Sequence, residues 1–237
     1  MRRLPAIAIL NVLGIALFLS WYLPAHHGVW WRIDSAIFFY FNTWMAQSHG
    51  FAVILAITNF RGFDVVSLLA MGLLFGLYYL RTPPARRYEL IGLGIVMLLS
   101  AMLLNQLGHL LPVSHASPSV FFKNHDNVAR IAQFTSIPTK DASMDSFPGD
   151  HGMMLMIFAA YMLRYFGRRA FAGGLLILVL FSLPRVMIGA HWFTDVAVGS
   201  LSVTLVGLSW WLMTGACDNV IHWLNQRLPG HRVKSYQ

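Results

Sequence analysis

The chain has 237 residues, a formal net charge of +8, 57% hydrophobic side chains and only 11% charged ones. That composition excludes an ordinary soluble globular domain and points to an all-α integral membrane protein. The basic excess does not call for a nucleic-acid partner, because the cations punctuate apolar stretches and form no stripe on a polar domain.

The first uninterrupted apolar run, residues 4–23, is close to the roughly 20 residues that a helix needs to cross hydrocarbon. It follows Met1, Arg2 and Arg3, but it is long and no small-x-small cleavage pattern succeeds it, so an uncleaved span is expected rather than a signal peptide. Residues 24–63 then carry Trp30, Trp31, Phe38, Phe39, Tyr40, Phe41 and Trp44 around Asp34 and Asn42. This density of aromatics suits a helix lying at the membrane interface, with belt anchoring as the plainer reading and lipid recognition as its alternative. Further apolar runs fall at 64–80, 90–111, 149–166, 170–188 and 196–216, which predicts a six-transmembrane-helix bundle forming a single catalytic domain over 1–237. Its long outer loops are about 24–63 and 112–148. The second of these holds Pro112, Pro118 and Pro138 among many Ser, Asn and Asp residues and reads as irregular, with short helical pieces. Single Cys217, near the inner end of the last run, cannot form an intramolecular disulfide.

With both termini inside, the cytoplasmic face collects Arg2, Arg3, Arg81, Arg86, Arg87, Arg164, Arg168, Arg169, Arg227, Arg232 and Lys234, which are 11 of the 17 basic residues. Positive loops stay cytoplasmic, so this split predicts the orientation. Arg32, Arg61, Lys123, Arg130, Lys140 and Arg185 are left for the outer face.

Three patterns then fall on that outer face: Lys123-x6-Arg130 in the second loop, Pro148-Gly149-Asp150-His151 at the start of the fourth run, and Arg185-x5-His191-x3-Asp195 between the fifth and sixth. Three fixed cations can clamp an oxyanion, and two histidines can divide nucleophile and acid roles. The arrangement is that of phosphoryl transfer through a phosphohistidine. His191 and Asp195, at i and i+4, share one helical face, so the carboxylate can hold one ring nitrogen and leave the other as a neutral nucleophile. Read alone, the pair equally fits a core histidine beside a helix-start carboxylate, or two metal ligands. Lys123, Arg130 and Arg185 have a plainer alternative as cations reaching for lipid headgroups. Arg185, after Pro184 at the end of an apolar run, fits that alternative least. Asn105, Gln106 and His109 are candidates for lining the same pocket or for bonding neighbouring helices. The other histidines, His26, His27, His115 and His125 among them, show no metal-ligand spacing, and the reading calls for no metal and no cofactor.

On these residues the chain resembles the type 2 phosphatidic acid phosphatase superfamily, integral membrane enzymes with a six-helix core and the signature K-x6-RP, PSGH, SR-x5-H-x3-D. The resemblance implies His191 as nucleophile, Asp195 as its partner, His151 as acid and base, and Lys123, Arg130 and Arg185 as phosphate binders, with Gly149 and Asp150 at the substrate. Ile131 stands where the first motif has Pro, Pro184 where the third has Ser, and Gly149-Asp150 where the second has Ser-Gly. An ionised Asp150 repels phosphate unless it points away, is protonated or faces a cation, and the sequence leaves the three open. Within the superfamily, the helix starts Ser-Phe-Pro-Gly-Asp-His-Gly and Arg-Val-Met-Ile-Gly-Ala-His-Trp-Phe-Thr-Asp are similar to those of a bacterial inner-membrane phosphotransferase with a periplasmic active site. That likeness implies undecaprenyl diphosphate as donor and the 1-phosphate of lipid A as acceptor. A hydrolase of the same superfamily has the same site residues, and a non-catalytic lipid carrier would need the cations without a carboxylate-backed histidine.

Overall fold

The computed structural model describes residues 3–125 and 127–228. Arg2, Arg232 and Lys234, counted in the charge split, lie outside the described residues. In chain order the helices are α1 Leu4–Tyr22, α2 Val29–Gln47, α3 His49–Thr58, α4 Phe63–Arg81, α5 Pro84–Gly108, α6 Pro118–Phe121, α7 Asp150–Phe166, α8 Arg168–Met187, α9 Leu201–Met213 and α10 Ala216–Arg227. A π-helical segment, Asp195–Ser200, leads directly into α9. Among the described residues there is no strand, and one isolated antiparallel bridge joins Phe60 to Thr139.

Helix α7 is the axis of the molecule. It packs against α4, α5, α8 and α9. Met153, Leu155, Ile157, Phe158 and Met162 on it are almost wholly enclosed. Gly167, in the left-handed region at φ +88°, turns the chain sharply enough for α8 to run back along α7 as a hairpin. Buried Leu93, Val96, Tyr161, Leu208 and Leu212 form one apolar cluster of the bundle, and Met71, Leu155, Phe158 and Ile177 a second beside it.

Five helices among the described residues are long and apolar enough to cross a membrane: α1, α4, Arg86–Gly108 of α5, α8, and the π segment continuing through α9. The expected fourth run forms α7, whose 17 residues fall short of that length because the turns at Gly149 and Gly167 cut it at both ends.

Two segments are more ordered than the sequence suggested. Residues 24–63, expected as an interfacial aromatic helix in an outer loop, form two helices, α2 and α3, which contact each other and α8. Helix α2 buries Asp34 and Asn42 along with Phe38 and Met45, so its inner face is structural as well as aromatic. Helix α10 was not anticipated. It packs on α5, where Asn225 Nδ2 donates to the Glu89 carbonyl at 3.1 Å over the open face of Gly92.

Candidate active site

The start of α4, the end of α5, the start of α7, the end of α8 and the stretch ahead of the π segment meet at one end of the bundle, where they enclose a cavity of about 470 Å³. Its polar lining includes Asp64, Asn105, Lys140, Asp145, Asp150, His151, Arg185 and His191. His151 and His191 are largely enclosed, and the Arg185 side chain is only 7% exposed.

The short-range path to His191 is a turn and not a helix face. Gly189, at φ +84°, ends α8, and the Arg185 carbonyl accepts from the amides of Ala190 (3.0 Å) and His191 (3.2 Å). His191 therefore precedes the helix that carries Asp195. The contact still forms: His191 Nδ1 lies 3.1 Å from the Ser146 carbonyl and 3.3 Å from Asp195 Oδ2. A carbonyl oxygen can only accept, so Nδ1 carries the proton and Nε2 is left with a free lone pair. Asp195, fully buried, also accepts from the Trp192 amide at 2.8 Å.

Two interhelical bonds fix the starts of α7 and the π segment against each other. The Gly149 amide donates to the Asp195 carbonyl at 3.0 Å, and Ser200 Oγ donates to the Gly149 carbonyl at 2.7 Å. A Cβ on Gly152 would sit 2.9 Å from Val196, so the absence of a side chain there is what permits this approach. The π turn, one residue wider than an α turn, is a recurrent feature of functional sites. The Gly149 amide is consequently committed to protein and buried, whereas the free amides of the first α7 turn point outward from the helix start.

Of the sequence-expected site residues, the structure gathers His151, Arg185, His191 and Asp195 together and puts Asp150 at the cavity mouth. Lys123 and Arg130 do not line the cavity. Lys123 is exposed beyond α6, and Arg130 is drawn aside by the Ser119 carbonyl (2.6 Å) and by Asp141 (3.2 Å). Asp150 faces a ring: its Oδ1 is 2.7 Å from His109 Nε2 at the end of α5. Its partner is thus a histidine, and it forms no ion pair with Lys123, Arg130 or Arg185 among the described residues.

Several site residues carried no legible motif. Asp64, at the start of α4, forms an ion pair with Arg185 and lies 4.0 Å from His151 Nδ1. An acid at the very start of an apolar run is the one signal that marked it. Lys140 enters the cavity on a segment held by the Phe60–Thr139 bridge and by its own amide, which donates to the Asn59 carbonyl at 3.1 Å. The Asn59 side chain in turn donates to the Pro184 carbonyl at 3.1 Å, tying this loop to the last turn of α8. His115 Nδ1 lies 3.3 Å from Asp195 Oδ1, and its ring stacks on Trp192. Asp195 thus serves two histidines. Asp34 of α2 accepts from the Thr194 amide (3.1 Å) and from Thr194 Oγ1 (2.5 Å), just before Asp195, and burial pushes its carboxyl up to about 6.

A second, apolar groove of about 570 Å³ runs between α4 and α5, lined by residues such as Leu69, Gly72, Phe75 and Gly94. Leu98, Ala101 and Met154 line both this groove and the polar cavity, so the two adjoin.

Comparison with known proteins identifies the family. Residues 89–218 match the PAP2 superfamily, a stretch that includes all three sequence patterns. The chain is 51% identical over 230 residues, covering 97% of this chain and 96% of the relative, to the lipid A 1-diphosphate synthase of Escherichia coli (strain K12). No solved structure matches the chain. By the superfamily match across more than half its length and the near full-length likeness to an enzyme, this chain belongs to the PAP2 superfamily.

Proposed function

We propose that the protein is a lipid phosphotransferase that moves the terminal phosphate of undecaprenyl diphosphate to the 1-phosphate of lipid A, giving lipid A 1-diphosphate and undecaprenyl phosphate. The observation that carries the chemistry is His191, bonded through Nδ1 and lining a cavity shared with His151 and Arg185, which adjoins an apolar groove suited to a lipid tail. The acceptor identity rests on the likeness to the Escherichia coli enzyme.

In this reading Nε2 attacks the terminal phosphorus, forming an N–P bond as the bond to the bridging oxygen breaks. Arg185 and the outward amides of α7 offset the charge on the phosphoryl oxygens. Asp195 holds Nδ1–H and stabilises the imidazolium that develops as Nε2 bonds phosphorus. Undecaprenyl phosphate leaves, assisted where needed by a proton from His151. An oxygen of the acceptor phosphate then attacks phosphorus, the N–P bond breaks, and the neutral histidine is restored. Before substrate arrives Asp64 holds Arg185, and an incoming phosphate competes with that carboxylate for the guanidinium. In this reading the 17-residue α7 is a sixth span, the fourth in order and shielded by its neighbours, the cavity faces the periplasm from the bacterial inner membrane, and both termini are cytoplasmic; the 11 to 6 split of basic residues supports that orientation.

The test is direct. Purified protein in proteoliposomes receives undecaprenyl diphosphate labelled in its terminal phosphate, with and without lipid A. Label appearing in lipid A 1-diphosphate is the expected outcome. Release of free phosphate alone, undiminished by lipid A, would make the protein a diphosphate hydrolase of the same superfamily.

A further inference from the structure

A lipid diphosphate brings two phosphates into the cavity, and one histidine–arginine corner accounts for only one of them. Among the described residues, Lys140 and Arg185 are the two Lys/Arg side chains that line this space. They differ in depth. Arg185 is buried beside His151 and His191 at the reacting end, whereas Lys140 is exposed at the mouth. Their partners differ as well. Arg185 is paired with Asp64, while the Lys140 ammonium makes no ion pair among the described residues. The two carboxylates that share the mouth are occupied elsewhere: Asp150 meets His109 at 2.7 Å, and Asp145 Oδ1 accepts the His115 amide at 3.3 Å. The lysine backbone is nonetheless held, through the Asn59 carbonyl and the Phe60–Thr139 bridge. An unpaired cation on an anchored segment, at the outer edge of a phosphate cavity, is a preorganised anion subsite.

We infer that Lys140 forms a second phosphate subsite, binding the phosphate that is not transferred: the lipid-linked phosphate of the donor, and in the second half-reaction the phosphate monoester of the acceptor. This deepens the phosphotransfer reading and rests on it for the identity of the lipids, but its test does not depend on turnover. Both half-reactions place a phosphate monoester next to the phosphohistidine, as leaving group in the first and as nucleophile in the second. One cation at that point serves both.

The experiment compares two non-hydrolysable probes with the same farnesyl tail, a methylenediphosphonate and a monophosphonate, binding to the full-length protein in detergent by titration calorimetry. Wild type is expected to bind the diphosphonate more tightly. Lys140→Met should weaken the diphosphonate about tenfold, the size of one exposed charge contact, and leave the monophosphonate within about twofold by the same accounting. Lys140→Arg should retain most of the preference. Unchanged monophosphonate binding also reports that the variant is folded. Equal weakening of both probes would put Lys140 on the transferred phosphate, and no change in either would remove it from phosphate binding; both results overturn the inference. A wild-type protein that discriminates the probes but transfers nothing to lipid A would defeat the proposed function and leave the subsite standing.

Discussion

At the residue scale the site turns on one carboxylate shared between two rings. Asp195 receives the Trp192 amide, His191 Nδ1 and His115 Nδ1 with no exposure to solvent. His191→Ala should abolish turnover, since the nitrogen that forms the N–P bond is removed, while Asp195→Asn should lower kcat by about 10²- to 10⁴-fold as the ring loses its orienting anion. Phosphohistidine trapping with labelled donor checks both. Comparable mild losses in the two variants would remove His191 from the nucleophile role. His115→Phe preserves the stack on Trp192 but deletes a hydrogen bond to a charged group, which is worth roughly 10- to 100-fold in rate. The expected signature is a fall in kcat with KM little changed, together with a displaced pH–rate profile. Asp34 makes a separate pH prediction. Its carboxyl is near 3.8 in the unfolded chain and about 6 when buried. The folded state therefore holds a proton that the unfolded state releases, and this contribution is complete below about pH 4 and lost as the pH rises through 6. Wild type should thus lose melting temperature between about pH 4 and about pH 6 relative to Asp34→Asn, and little further above that, since the side chain of the variant keeps the shape and one bond to Thr194.

At the element scale, activity depends on how closely the start of α7 approaches the π segment. Ser200 bonds the Gly149 carbonyl at 2.7 Å, and Gly152 leaves space that Val196 fills. Gly152→Ala puts a methyl 2.9 Å from a Val196 methyl, an overpacking cost of about 1–3 kcal/mol. The separation should displace His151 from His191 as well as lower stability, so turnover should fall further than the denaturation midpoint alone accounts for. Helices α2 and α3 act as a brace. Asn42 bonds both the amide (3.0 Å) and carbonyl (2.8 Å) of Ala129, and the Asn59 carbonyl accepts the Lys140 amide at 3.1 Å, so the loop of residues 112–148 is suspended from them at two points.

At the scale of the whole molecule, the polar cavity at one end and the apolar groove along α4 and α5 suit a substrate that is charged at its head and lipid along its length. The transferase reading makes a specific demand on His151. A lipid phosphate is a far better leaving group than an alcohol, and an acceptor phosphate is already anionic, whereas water attacking the phosphohistidine needs a base. His151→Gln should therefore suppress transfer to lipid A less than it suppresses residual hydrolysis, and the product ratio is the measurement. An equal, large fall in both would reduce His151 to phosphate binding. Orientation is checked with a reporter fused after Gln237, which is expected to be active only in the cytoplasm.

Class and chemistry were legible in the linear order of residues because both depend on local properties. Hydropathy summed over about 20 residues marks a helix that lipid will accept. The spacings Arg185-x5-His191-x3-Asp195 and Pro148 to His151 likewise bring their side chains to the ends of neighbouring helices, whether the intervening turn is helical or not. What depends on contacts distant in sequence was hidden. Asp64 reaches Arg185 across 121 residues, and His115 reaches Asp195 across 80. In the loop of residues 112–148, Lys123-x6-Arg130 has the spacing of a phosphate clamp, yet Lys140 enters the cavity instead. The reason is that an irregular loop has no internal period to direct its side chains. Its register comes from Asn42 and Asn59 on other helices, and only their docking decided which cation faces the site.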